Sequence, residues 1–87
     1  MSAPKLGLIA NTRKPGAREL VDALRGAMAR QGVPLRLECR TAALMGESGG
    51  CTAHDLAHEC DLLIVLGGYH YFVDRYRPVF IVRDRDL

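Results

Sequence analysis

Apolar positions in this chain switch period along its length, and each switch marks an element. Residues 5–10, Lys-Leu-Gly-Leu-Ile-Ala, are a short apolar run closed by Asn11-Thr12, the pattern of a buried strand. Ala17, Leu20, Val21, Leu24, Ala27 and Met28 then recur three or four apart. That period is the stripe of an amphipathic helix, with Arg18, Glu19, Asp22, Arg25 and Arg30 away from it. Pro15 suits the first turn, where its missing N–H costs nothing, and Gly32 supplies a left-handed stop. Residues 34–39 alternate Leu35, Leu37 and Cys39 with Arg36 and Glu38, predicting a half-buried strand near a sheet edge.

The stretch from Thr41 to Gly50 has no clear period, and Met-Gly-Glu-Ser-Gly-Gly reads as a loop. Thr52 is an expected N-cap with Asp55 three residues on, opening a short helix whose core face is Ala53, Leu56, Ala57 and Cys60. Leu62-Leu-Ile-Val-Leu66 is apolar without alternation, as a strand covered on both faces must be. The order β-α-β-α-β predicts a small three-layer α/β domain with a mainly parallel sheet in the order 2-1-3. In that order the carboxyl ends of the first and third strands meet beside the start of the first helix, where open α/β sheets take their ligands.

Composition changes after Gly68. All five aromatic residues lie in the last 19 positions, so the chain divides into residues 1–68, the α/β unit, and 69–87, an aromatic tail. Val79, Phe80, Ile81 and Val82 offer a fourth strand. Only residues 69–77 separate its start at Pro78 from the Gly pair, fewer than the dozen or so a parallel crossover needs. An antiparallel return, or a strand given to a second copy, is therefore the expectation, and a homo-oligomer would cover the sheet edge.

Bulk properties narrow the picture modestly. With 87 residues, 48% hydrophobic and 25% charged, the chain has the make-up of one globular domain. The apolar run at 62–66 is far too short for a membrane span, and the first residues lack a secretory layout, so a cytoplasmic protein is expected. Cys39, Cys51 and Cys60 have no framework spacing and read as reduced thiols. Net charge is +2, yet residues 1–40 carry eight Lys/Arg against three Asp/Glu, while 41–73 carry four acids and no base. The basic excess on the first βαβ unit points to an anionic ligand, although a solvated helix face explains it as well.

The first chemical candidate is Asn11-Thr12-Arg13-Lys14 facing Gly67-Gly68. Arg13 and Lys14 are suited to phosphate oxygens, and paired glycines let a backbone come close to a phosphate. His54 and His58, four apart, have zinc-ligand spacing, but they lie off the face that Cys60 shares with the core, so no metal is expected. Tyr69, Tyr71, Phe72 and Tyr76 interleaved with Arg75 and Arg77 resemble a single-stranded nucleic-acid platform in composition. A nearly neutral chain makes nucleic acid a poor candidate partner. No Ser or Cys is visibly matched to a His and a carboxylate, so no catalytic residue is assigned.

Taken together, Leu6-Gly-Leu-Ile-Ala-Asn-Thr-Arg-Lys-Pro-Gly-Ala17 and Cys60-Asp-Leu-Leu-Ile-Val-Leu-Gly-Gly68 resemble the amino-terminal domain of NAD kinases over residues 5–68. The resemblance implies a nucleotide-binding half-domain, with ATP or NAD as ligands and Asn11, Arg13, Lys14, Gly67 and Gly68 as binding residues. In that family the glycine pair opens a Gly-Gly-Asp-Gly-Thr motif whose aspartate serves phosphate transfer to NAD. Here Tyr69, His70 and Tyr71 stand in place of Asp, Gly and Thr. A tyrosine supplies no carboxylate for a base or a magnesium ligand, so catalysis by this chain alone is not expected. The family's NAD site also draws on a second, β-rich domain.

Overall fold

A computed structural model describes residues 4–66 and the backbone of a strand at 79–82. The chain forms β1 (Leu6–Ala10), α1 (Ala17–Arg30), β2 (Leu35–Leu37), α2 (Cys39–Leu44), α3 (Ala53–Glu59), β3 (Leu62–Leu66) and β4 (Val79–Val82). The sheet runs β2-β1-β3-β4 with every pairing parallel. The expected 2-1-3 order is thus the order observed, with β4 added outside β3.

Alternation along the central strands sorts the core into two halves. Leu8, Ala10, Leu37 and Leu66 pack with Val21 of α1 and Ala42 of α2 on one face. Ile9, Leu63 and Val65 pack with Leu56, Ala57 and Cys60 on the other, under α3. The layers are therefore α1 with α2, then the sheet, then α3. Because β1 and β3 are covered on both sides, they must be apolar throughout, and Leu8, Ile9 and Leu63 are fully buried. Gly7 marks the closest approach to α3. A β-carbon there would stand 2.9 Å from Leu63 Cδ2 and 3.1 Å from Cys60 Sγ, so the helix packs directly on the backbone of β1.

Three expectations change. The alternation at 34–39 predicts a strand through Cys39, but β2 stops at Leu37 and Cys39 is exposed. Glu38 ends the strand by turning its carboxylate onto the next N–H groups, so that Cys39 opens α2 where a loop was expected further on. Gly46, at φ 76°, stops that helix in the left-handed region. Pro15 lies ahead of the first helical turn, because the left-handed Gly16 (φ 83°) sets the start of α1 at Ala17.

The third change is at β4, which pairs in parallel with β3 of its own chain, Leu63 opposite Val79 and Leu66 opposite Val82. An antiparallel return does not describe it. The strands end at Leu66 and begin again at Val79, so the connection is residues 67–78, twelve residues, which meets the length a parallel crossover needs. The rest of the aromatic tail lies outside the described residues.

Candidate functional site

The parallel order brings the carboxyl ends of β1 and β3 together at the point where chain direction across the sheet reverses. The Asn11 N–H donates to the Leu66 carbonyl at 2.8 Å, tying the end of β1 to the end of β3. Asn11 then folds the chain back. Its side-chain Oδ1 accepts from the Arg13 N–H at 3.1 Å, and its carbonyl accepts from the Lys14 N–H at 3.2 Å. This is the local bond set by which Asn initiates a turn. The Lys14 carbonyl in turn accepts from the Ala17 N–H at 3.2 Å, so the basic turn leads straight into α1.

The three helix starts at this edge are finished differently. In α2 the Glu38 carboxylate accepts from the N–H groups of Arg40 (2.9 Å) and Thr41 (3.1 Å) and from the Thr41 hydroxyl (3.0 Å). In α3 Thr52 Oγ1 accepts from the Asp55 N–H at 3.0 Å, as expected. The start of α1 has Gly16 at its N-cap and no side-chain cap at all. A 14-residue helix carries a partial positive charge and outward N–H groups at that end. The Ala17 N–H is bonded to the Lys14 carbonyl and Glu19 lies in the first turn, with Arg13 exposed and Lys14 half-buried in the turn ahead of it.

One polar connection links this edge to α2. The Ala10 N–H, at the end of β1, donates to Thr41 Oγ1 at 2.9 Å, and the same hydroxyl donates to Glu38 Oε1. Thr41 is fully buried and Glu38 is 9% exposed. Since β2 has ended at Leu37, the Thr41 hydroxyl replaces the strand carbonyl that would otherwise receive this N–H. Beside it, on the α3 side of the sheet, a cleft of about 370 Å³ is lined by Ile9, Glu38, Cys39, Arg40, Thr52 and Ala53.

Of the residues singled out in the sequence, Asn11, Arg13 and Lys14 come together in the turn at the end of β1. Gly67 and Gly68 follow Leu66 directly but lie outside the described residues. Glu38, Arg40 and Thr41 were missed. The available signal was Glu38 three residues ahead of Thr41-Ala-Ala-Leu44, an acceptor before helix formers, which the strand-like alternation before it obscures. His54 and His58 are exposed on α3 with ring centroids 4.4 Å apart, while Cys60 is buried on its core face. Among the described residues no group of three or more His, Cys, Asp or Glu side chains could hold a metal ion. No helix among them is long and apolar enough to cross a membrane.

Fold and site together define a parallel α/β domain with a basic turn at the carboxyl edge of its sheet. Comparison with family models, with curated proteins and with solved structures returns no match.

Proposed function

We propose that the chain is an NAD kinase-like nucleotide-binding half-domain that binds a nucleotide phosphate at the carboxyl edge of its sheet and is not catalytic alone. The observation that carries the reading is the uncapped start of α1 behind the basic turn. The two neighbouring helices have their starts closed by Glu38 and Thr52, and α1 does not. Phosphate at such an end accepts backbone N–H bonds and meets the favourable end of the helix dipole. Arg13 and Lys14 would add charge-assisted bonds, and Asn11 holds the turn that presents them. Gly67 and Gly68 would complete the site from β3, leaving the backbone unobstructed. ATP and NAD are the ligands the resemblance points to. The absence of a carboxylate at Tyr69 argues for binding without phosphate transfer.

Calorimetric titration with ATP and with NAD tests this directly. The expected result is weak binding by the intact chain that drops about tenfold or more in an Arg13→Ala/Lys14→Ala double variant, as the loss of two charge-assisted contacts implies. Equal binding by both proteins, or none by either, contradicts it. Formation of NADP by the purified chain would contradict the non-catalytic part.

A further inference from the structure

The short helix α3 has a core face and a solvent face. Leu56 and Ala57 are fully buried, and Cys60 at the C-cap is 1% exposed, so this face closes the core half built on Ile9, Leu63 and Val65. His54, Asp55, His58 and Glu59 are exposed on the other. Glu59 is held by Arg36, and the Asp55 N–H by the Thr52 cap. His54 and His58 are four apart, hence one above the other on the helix. Their imidazoles meet edge to face, with ring centroids 4.4 Å apart and ring planes at 71°. The pair takes no part in the proposed phosphate site.

Two imidazoles bound through one nitrogen each to the same ion, at about 2.0–2.1 Å, hold their centroids roughly 4.5–5 Å apart at octahedral or tetrahedral angles. The observed spacing is within side-chain rotation of that range. The backbone beneath the rings is fixed. The Leu56 N–H donates to the Thr52 carbonyl at 3.0 Å, and the Cys60 N–H donates to the Leu56 carbonyl at 2.9 Å. Cys60 is buried on the opposite face, and among the described residues no group of three or more His, Cys, Asp or Glu side chains forms a closed set. What the helix offers is therefore an open site, two protein ligands with water at the other positions. Neutral nitrogen donors favour late first-row divalent ions over Mg²⁺ and Ca²⁺, which take oxygen ligands.

We infer that His54 and His58 form a two-histidine chelate for a divalent ion of the nickel, copper and zinc class, and that an ion bound there stabilises α3. At seven residues α3 is too short to be stable apart from its packing. A chelate across one of its turns opposes fraying of the helix that covers one half of the core. An ion that needs the helical spacing binds the folded chain better than the unfolded one, and so raises overall stability by mass action.

The test is calorimetric titration of the whole chain with Ni²⁺, which, unlike Cu²⁺, leaves its three thiols reduced, and with Mg²⁺ as the oxygen-seeking control. The variants are His54→Ala, His58→Ala, His58→Ala/Glu59→His, His70→Ala and Cys39→Ser, each checked for folding by a melting curve. Ni²⁺ should bind, and Mg²⁺ should not. His54→Ala and His58→Ala should each weaken Ni²⁺ about tenfold or more, because the second ligand of a chelate acts at high effective concentration. His58→Ala/Glu59→His keeps two imidazoles but sets them five apart, off a common face, and should not recover the loss. His70→Ala and Cys39→Ser should match the intact chain. Ni²⁺ should also raise the urea midpoint of the intact chain and leave that of His54→Ala unmoved. In the intact chain, the paramagnetic ion should broaden the amide resonances of residues 53–59 first. No binding, equal binding by both single histidine variants and the intact chain, recovery by the respaced pair, or broadening that begins elsewhere overturns the site. Binding that leaves the urea midpoint of the intact chain unmoved overturns the stabilisation of α3.

Discussion

Thr41 shows how much one side chain can hold at the edge of a small sheet. It receives an N–H from β1 and gives its own proton to the Glu38 carboxylate, all inside the core. Thr41→Val keeps the shape and removes both bonds, leaving a buried donor and a buried carboxylate oxygen without that partner. The expected cost is about 2 kcal/mol, read as a lower urea midpoint at unchanged slope. Cys60 is the other residue with a measurable signature. It is 1% exposed beneath α3, and burial pushes its thiol above the ordinary range, with Arg36 partly opposing and Glu59 adding to the shift. A raised folded value means that this contribution is complete below the unfolded thiol's value, near 8.5, and is lost as pH rises through the folded one. Urea unfolding from pH 7 to 10 should therefore show an alkaline loss of stability that is smaller in Cys60→Ala than in the intact chain.

At the scale of elements, the features legible in the sequence were those whose signals are local. The stripe of α1, the Thr52 cap of α3 and the unbroken apolar runs of β1 and β3 each lie within one short window, and all four elements appear where they were read. The helix at Cys39–Leu44 was not legible as such. At six residues it is too short to show a period, and its cap is a glutamate that also continues the alternation of β2. The direction of β4 was misjudged for a related reason. Counting from the Gly pair to Pro78 leaves only residues 69–77, whereas the observed strands end at Leu66 and resume at Val79. At the site, the turn at Asn11 was legible because its bonds are local. The Ala10–Thr41 bond was not, since its partners are 31 residues apart and meet only after the sheet is assembled.

Across the whole molecule, the sheet sorts its chemistry by edge. Parallel strands put the helix starts at one end, so backbone N–H groups gather there beside the basic turn that holds Arg13. The glutamate-paired arginines lie elsewhere, where the Arg25–Glu47 bond raises the basicity of the guanidinium and holds the Glu47 carboxyl below its usual range. A phosphate ligand at the carboxyl edge is the reading that uses the uncapped helix, the turn and the strand junction together. Amide chemical-shift mapping is the most direct test of that claim. Titrating isotopically labelled protein with ADP should move the amides of residues 11–19 first. Shifts confined to other parts of the molecule, or none at saturating ligand, would contradict the account.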